Sequence, residues 1–195
     1  MAGGTRAALE WIGYHNSSFM KQRIVFLDLD ETLVHTFDPL LLDFIAVQCA
    51  RGRLEVAEHL ETQVASVRRF DLGEEQYAII TRPDAQEAIT ALEAMAEVHV
   101  FTAADEGYAI AALAATGLVF QKAEIFSLRG RTPDPAWVRP KSWLLIDDTP
   151  ATAKIAALGE WESFRVIQVK PLRFGHEAQP LMNAVHECTR RFDLL

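Results

Sequence analysis

Ile24-Val25-Phe26-Leu27-Asp28-Leu29-Asp30-Glu31-Thr32-Leu33-Val34 is the stretch whose reading decides the fold. Its opening run, Ile24 to Leu27, is apolar without alternation. Such a run reads as a strand buried on both faces, as in a parallel sheet. It stops in two carboxylates separated by one residue. Val98-His99-Val100-Phe101 repeats the pattern and ends in Thr102, and Trp143-Leu144-Leu145-Ile146 ends in Asp147-Asp148. Phe164-Arg165-Val166-Ile167 continues to Val169, and Ile125-Phe126 is a weaker strand.

Helical patterns separate these runs. After Pro83, a residue suited to a helix start, Ala85, Ala88, Ile89, Leu92 and Met95 recur at helical spacing. Asp105 to Ala115 is alanine-rich, with Gly117 as its stop. Pro150 to Leu158 is a further short helix, and Leu181, Met182, Val185 and Cys188 fall in register in the last. Strands alternating with helices imply an α/β fold: a Rossmann-like parallel sheet with helices on both faces.

One region breaks the alternation. Pro39 to Arg69 reads as helical, with Leu41, Leu42, Ile45, Leu60 and Val64. Arg69-Phe70-Asp71-Leu72 and Tyr77-Ala78-Ile79-Ile80 then flank Gly73-Glu74-Glu75-Gln76 as a hairpin. The expected organisation is an N-terminal extension over residues 1–19 and one domain over 20–195, with a small insertion at 39–80 after the first strand. The insertion reads equally as a lid over a site or as packing at the sheet edge.

Composition narrows the function. The chain has 195 residues, 50% of them hydrophobic, and a formal net charge of −8. An acidic surface argues against general nucleic-acid binding. Cys49 and Cys188 are too few and too far apart for a disulfide framework or a zinc site. No run reaches the length of a membrane helix, so a reducing cytoplasm is the expected compartment.

In an open parallel sheet, ligands bind at the carboxyl ends of the strands. Asp28, Asp30, Thr102, Asp147 and Asp148 all fall there. Asp at a strand end is often only a cap or turn residue, but this ordered set points to chemistry. An adjacent Asp pair is costly to bury unless a cation neutralises it, and an oxygen-ligated cation such as Mg²⁺ suits it.

Asp28-Leu29-Asp30-Glu31-Thr32-Leu33-Val34 resembles the first motif of the haloacid dehalogenase superfamily. With His35 it is similar to the small phosphatases that act on the RNA polymerase C-terminal domain. Thr81-Arg82-Pro83, Val100-Phe101-Thr102-Ala103 with Tyr108, and Leu144 to Pro150 look like later blocks of that subgroup. The likeness runs from about Ile24 to the C-terminus, apart from the helical part of the insertion. It implies a Mg²⁺-dependent phosphomonoesterase working through an aspartyl-phosphate on Asp28. Asp30 would be the general acid and base, and Thr102 would hold a phosphoryl oxygen. The metal would be held by Asp28, the Asp30 backbone carbonyl, Asp147 and Asp148. A cation completes the cradle: Lys141 is the expected one, with Arg131 as rival.

The resemblance implies a phosphorylated substrate, with protein phosphoserine or phosphothreonine favoured. A nucleotide or polynucleotide-end phosphatase is the alternative enzyme. A catalytically silent binding scaffold is the alternative outside catalysis. Asp148 departs from the subgroup, which usually has Asn there. His35 is expected to pack or meet solvent, and His99 to be a satisfied strand histidine. Tyr108, Phe70 and Tyr77 are read as core aromatics or as walls of a substrate groove. Trp137 to Pro140 is read as a loop bordering the site or one without function.

Overall fold

The computed structural model describes residues 23–51, 58–159 and 163–195. The expected N-terminal extension lies outside them. β1 (Arg23–Leu27), β5 (Glu97–Thr102), β6 (Ile125–Ser127), β7 (Ser142–Asp147) and β8 (Val166–Gln168) form one sheet in the order β6-β5-β1-β7-β8. Every neighbouring pair in it is parallel. The Rossmann-like expectation therefore holds. Phe164 and Arg165, read as strand, instead form a 3₁₀ turn over Ser163–Arg165 that leads into β8.

Because β1 is central, its residues alternate between two cores. Val25 and Leu27 face α3 (Ala85–Glu93), α4 (Glu106–Thr116) and α7 (Met182–Phe192), burying Ile89, Leu92, Ala109, Ala112, Val185 and Cys188 with them. Ile24 and Phe26 face the other way, toward Trp143, Leu145, Val138 and Ile155. Phe26 centres that side, with ring centroids 5.8 Å from Phe101 and 6.1 Å from Phe126. The covering helices there are short: α5 (Pro135–Val138) and α6 (Thr152–Ala157). α4 stops at Gly117 with φ of 72°, a left-handed position that suits glycine.

A second sheet, β2-β4-β3, is antiparallel. β3 (Arg68–Leu72) and β4 (Glu75–Thr81) are the expected hairpin, with a shorter turn at Gly73-Glu74 and Gly73 at φ of 63°. β2 (Val34–Phe37) was not legible as a strand: it has only 4 residues, three of them half-exposed. It follows the Asp28–Thr32 motif directly and joins it to the insertion. α1 (Leu40–Ala50) and α2 (Glu58–Ser66) are the expected helices. α1 buries no residue, since its apolar side chains run all round it and Leu40 and Phe44 stay 69% and 57% exposed. Gln63 of α2 grips the loop before α7: its Nε2 donates to the His176 carbonyl at 2.7 Å and its Oε1 accepts from the Gly175 N–H at 2.7 Å. No helix among the described residues is long and apolar enough to cross a membrane.

Candidate active site

The strand order reverses at β1. The chain runs from β1 to β5 and β6 on one side, then returns to β7 and β8 on the other. A crevice is expected outside the carboxyl ends at such a point. The register pairs Leu27 with Val100 and with Ile146, so Asp28 emerges beside the end of β7. Its N–H still bonds the Ile146 carbonyl at 2.9 Å, which fixes the start of the next turn.

That turn is tight. Leu33 and Val34 donate to the Leu29 carbonyl at 2.9 and 3.1 Å, and Glu31 donates to the Val34 carbonyl at 2.6 Å. Glu31 sits at φ of 60°, a costly conformation for a residue with a side chain. Arg82 holds the turn from beneath. Its guanidinium is 1% exposed. Nε donates to the Thr32 carbonyl at 2.6 Å and Nη2 to the Glu31 and Lys170 carbonyls at 3.0 and 2.8 Å. Nη1 reaches the Gln179 carbonyl at 2.5 Å. One side chain thus joins the motif turn to two loops of the C-terminal third.

Asp28 and Asp147 are buried, and between them lies Lys154 of α6, itself 5% exposed. Lys154 Nζ donates to Asp28 Oδ1 and, at 2.7 Å, to Asp147 Oδ2. The other oxygen of Asp147 accepts from the Thr149 N–H at 2.8 Å and from its hydroxyl at 2.6 Å. Burial pushes the Asp28 carboxyl up to about 7; Lys154 opposes the rise and the Asp147 charge adds to it. Burial, then Asp147, also raises Asp148. Asp30 is raised by burial against the pull of Tyr108, whose hydroxyl donates to Asp30 Oδ1 at 2.5 Å. The Tyr108 hydroxyl is itself driven up by burial and by the Asp30 charge.

These groups fit a hard divalent cation. One oxygen each from Asp28, Asp147 and Asp148 lie within 4.8 Å of one another. Three carboxylates against one ammonium leave two negative charges in excess, which one divalent ion would balance. They open onto a cleft of about 640 Å³ lined also by Asp30, Glu31, Thr102 and Arg173. The Thr102 side chain is buried, and its Oγ1 accepts from the Ala104 N–H at 3.0 Å. No described residue of the insertion lines this cleft.

Asp28, Asp30, Thr102, Asp147 and Asp148 are therefore brought together, whereas Lys141 is not. Lys141 precedes β7 and so lies at the opposite end of the sheet from Asp147. They are six residue steps apart along the strand, roughly 20 Å of extended chain. Its Nζ donates to Glu97 at 2.9 Å and stands 4.4 Å from the Trp137 ring centroid. Arg131 is also elsewhere, paired with Glu124 at 2.6 Å and stacked over Phe126. The buried cation bonded to Asp28 and Asp147 is Lys154, which the sequence reading missed. Its signal was a single charge in the apolar helix Thr-Ala-Lys-Ile-Ala-Ala, one turn beyond the Asp pair.

The remaining candidates resolve as follows. Phe70, Tyr77 and Tyr108 pack on one another, with centroids 5.3 to 6.1 Å apart, and seat the second sheet on α4. His35 is half-exposed and stacks on Phe37 at 5.9 Å. His99 Nδ1 accepts from the Glu124 N–H at 3.1 Å, while Nε2 has no hydrogen-bond partner among the described residues. Trp137 and Val138 belong to α5, with Val138 fully buried, and stand with Lys141 at the far end of the sheet.

The profile of the NLI interacting factor-like phosphatases matches residues 23–127. The chain belongs to this family. The matched span, more than half of the sequence, contains Asp28, Asp30 and Thr102. The fold brings Asp147, Asp148 and Lys154 to it from beyond that span. Among solved structures, Fcp1, an essential RNA polymerase II CTD phosphatase, aligns at 19% identity over 95% of this chain and 51% of its own, with a TM-score of 0.56. The fission yeast Fcp1-R271A complex with beryllium fluoride aligns at 18% identity over 97% and 55%, with a TM-score of 0.54. The chain thus spans about half the length of these neighbours, and the likeness is one of fold. A haloacid dehalogenase-like hydrolase from Xanthomonas campestris aligns at 15% identity over 88% of this chain and 99% of its own, with a TM-score of 0.42. No curated protein sequence matches.

Proposed function

We propose that this phosphatase is a metal-dependent phosphomonoesterase that forms an aspartyl-phosphate on Asp28. The observation that carries the reading is the convergence of Asp28, Asp147 and Asp148 within 4.8 Å beside the buried Lys154. Mg²⁺ is the proposed cofactor, held by those three carboxylates and the Asp30 backbone carbonyl; when bound, it supplies charge neutralisation of the phosphate.

The residues then divide the work. An Asp28 carboxylate oxygen attacks phosphorus while the bond to the leaving oxygen breaks. Asp30 gives its proton to that oxygen. A water next attacks the phosphorus of the aspartyl-phosphate, its proton passes to Asp30, and the Asp28 carboxylate is released. Thr102 donates its hydroxyl to a phosphoryl oxygen. Lys154 neutralises charge at Asp28 and Asp147 and faces the phosphoryl oxygens as negative charge builds.

The proposed substrate is a phosphoserine or phosphothreonine side chain on a protein. An open cleft that no described residue of the insertion lines supports it, since a folded or extended partner can reach Asp28. The Fcp1 likeness agrees, as analogy of fold. The test is hydrolysis of an aryl phosphate with and without Mg²⁺, by the natural protein and Asp28→Asn, followed by phosphopeptides against nucleotides. Loss of turnover on removing either Mg²⁺ or Asp28 is expected, with phosphopeptides preferred. Turnover that survives Asp28→Asn would refute the aspartyl-phosphate. Preference for nucleotides would replace the protein substrate, and a folded, Mg²⁺-binding protein without turnover would point to a scaffold.

A further inference from the structure

Among the described residues, Tyr108 is the one whose side chain bonds the Asp30 carboxylate. It stands on α4, and its hydroxyl donates to Asp30 Oδ1 at 2.5 Å. The same hydroxyl lies 2.8 Å from Thr36 Oγ1 on β2. The Tyr108 proton is committed to Asp30, so Thr36 must be the donor in that second bond. The result is a one-way relay from Thr36 to Tyr108 to Asp30. It joins the second sheet, a helix of the main sheet and the motif turn.

We infer that Tyr108, steadied by Thr36, is a positioning residue that fixes which oxygen of Asp30 handles the proton. The inference rests on the phosphatase reading above and goes one atom further. Oδ1 is occupied by the Tyr108 hydroxyl. Oδ2 has no hydrogen-bond partner among the described residues, and Asp30 lines the cleft. Oδ2 is therefore the oxygen that gives its proton to the leaving oxygen as the P–O bond breaks. It is also the oxygen that takes a proton from water as the Asp28–phosphorus bond is cleaved. Tyr108 keeps its own proton throughout and exchanges nothing with the substrate. Without it the carboxyl can rotate, and the proton can sit on an oxygen turned away from the cleft.

Thr36 gives the relay a second purpose. β2 starts immediately after the motif turn and pairs with β4. Phe70 and Tyr77 of the same sheet pack against the Tyr108 ring at 6.1 Å each. The seating of the second sheet thus sets the angle of Tyr108, and Tyr108 sets Asp30. The insertion contributes to the chemistry through Asp30, although none of its described residues lines the cleft.

The experiment compares Tyr108→Phe and Thr36→Val with the natural protein on leaving groups of different need for a proton. 2,4-Dinitrophenyl phosphate leaves unaided, phenyl phosphate needs help, and a phosphoserine peptide needs most. Because kcat/KM reports the step that expels the leaving group, it is the quantity to compare. Tyr108→Phe is expected to lower it about tenfold or more on the peptide and phenyl phosphate, part of the 10²–10⁴-fold that a positioned acid supplies, and within about twofold on the dinitrophenyl ester. Thr36→Val, which leaves the Tyr108–Asp30 bond in place, is expected to show the same ordering at smaller size. Circular dichroism and melting temperature confirm that each variant is folded. Equal losses on all three substrates, or no loss, would overturn the inference while leaving the phosphatase reading standing. Absence of any Asp28-dependent turnover in the natural protein would overturn both.

Discussion

Replacing Arg82 with Met removes a guanidinium that holds the carbonyls of Glu31, Thr32, Lys170 and Gln179 at 2.5 to 3.0 Å. Methionine is near in length and apolar, so the packing change is small. The electrostatic change is not. Hydrogen bonds to a charged group are worth about 1.5–3 kcal/mol each, so four amount to roughly 6–12 kcal/mol gross. Against this stands the desolvation of a guanidinium that is 1% exposed and bonded only to neutral carbonyls. Removing the charge returns several kcal/mol of that. The net loss is about 3–5 kcal/mol, since each buried carbonyl left without a donor costs about 1–3 kcal/mol and the returned desolvation offsets part of that sum. At roughly 2–4 °C per kcal/mol for a domain of this size, the melting temperature should fall by about 6–20 °C. Urea unfolding at constant m-value is the assay. Arg82→Lys should recover only part of the loss, because an ammonium with three donors cannot span four carbonyls. A destabilisation below about 1 kcal/mol in Arg82→Met would show that the four carbonyls are equally content with water, and the argument from burial would fail.

Lys154→Met should cut kcat by about 10²-fold or more, and should cost more stability without Mg²⁺ than with it, since Asp28 and Asp147 are left facing each other. Lys141→Met should stay within about twofold of the natural kcat, because its partner is a half-exposed Glu97 far from the cleft; wild-type kinetics in Lys154→Met would undo the assignment. The third prediction concerns acid. Glu187 accepts from Arg190 and from Arg191, which hold its carboxyl down at about 2, against its ordinary 4.5. A depressed folded value means that the pairs stabilise α7 fully above pH 4.5 and lose their contribution as pH falls toward 2. The pairs are partly solvated, so the contribution is below about 1 kcal/mol. Glu187→Gln should flatten the stability profile between those limits, and an unchanged slope would remove Glu187 from the acid response.

Much of the frame was legible because its signals are local. β1, β5 and β7 are unbroken apolar runs, and such runs alternating with helices suit the strands of a parallel sheet buried on both faces. The polar residue ending each run lies at the carboxyl end by strand direction alone, which is why Asp28, Thr102 and Asp147 meet. The same rule shows why Lys141 was misplaced: a residue just before β7 must lie at the far end from a residue that closes it. Lys154 escaped notice for the opposite reason. Its partners Asp28 and Asp147 are joined to it by tertiary folding, and a lone lysine in a helix carries no periodic signal. β2 was hidden by its length, since 4 residues do not establish alternation. α1 shows the limit of hydrophobic counting. Leu40, Leu41 and Phe44 look like core residues by composition, yet they stay 69%, 40% and 57% exposed.

The placement of β1 between β5 and β7 has a consequence for how the chain can be divided. The family match ends at residue 127, before β7 begins. A fragment cut there would keep Asp28 and lose its counter-charge, because Lys154 lies 126 residues beyond it. It would also turn the innermost strand into an open border. The N–H and C=O groups that β1 shares with β7 would face solvent along an apolar strand, an invitation to pair with another copy. The stretch that is recognisable as the family is therefore not a unit that can stand by itself. During synthesis, β1 waits unpaired on one side until the ribosome has delivered Trp143 to Ile146.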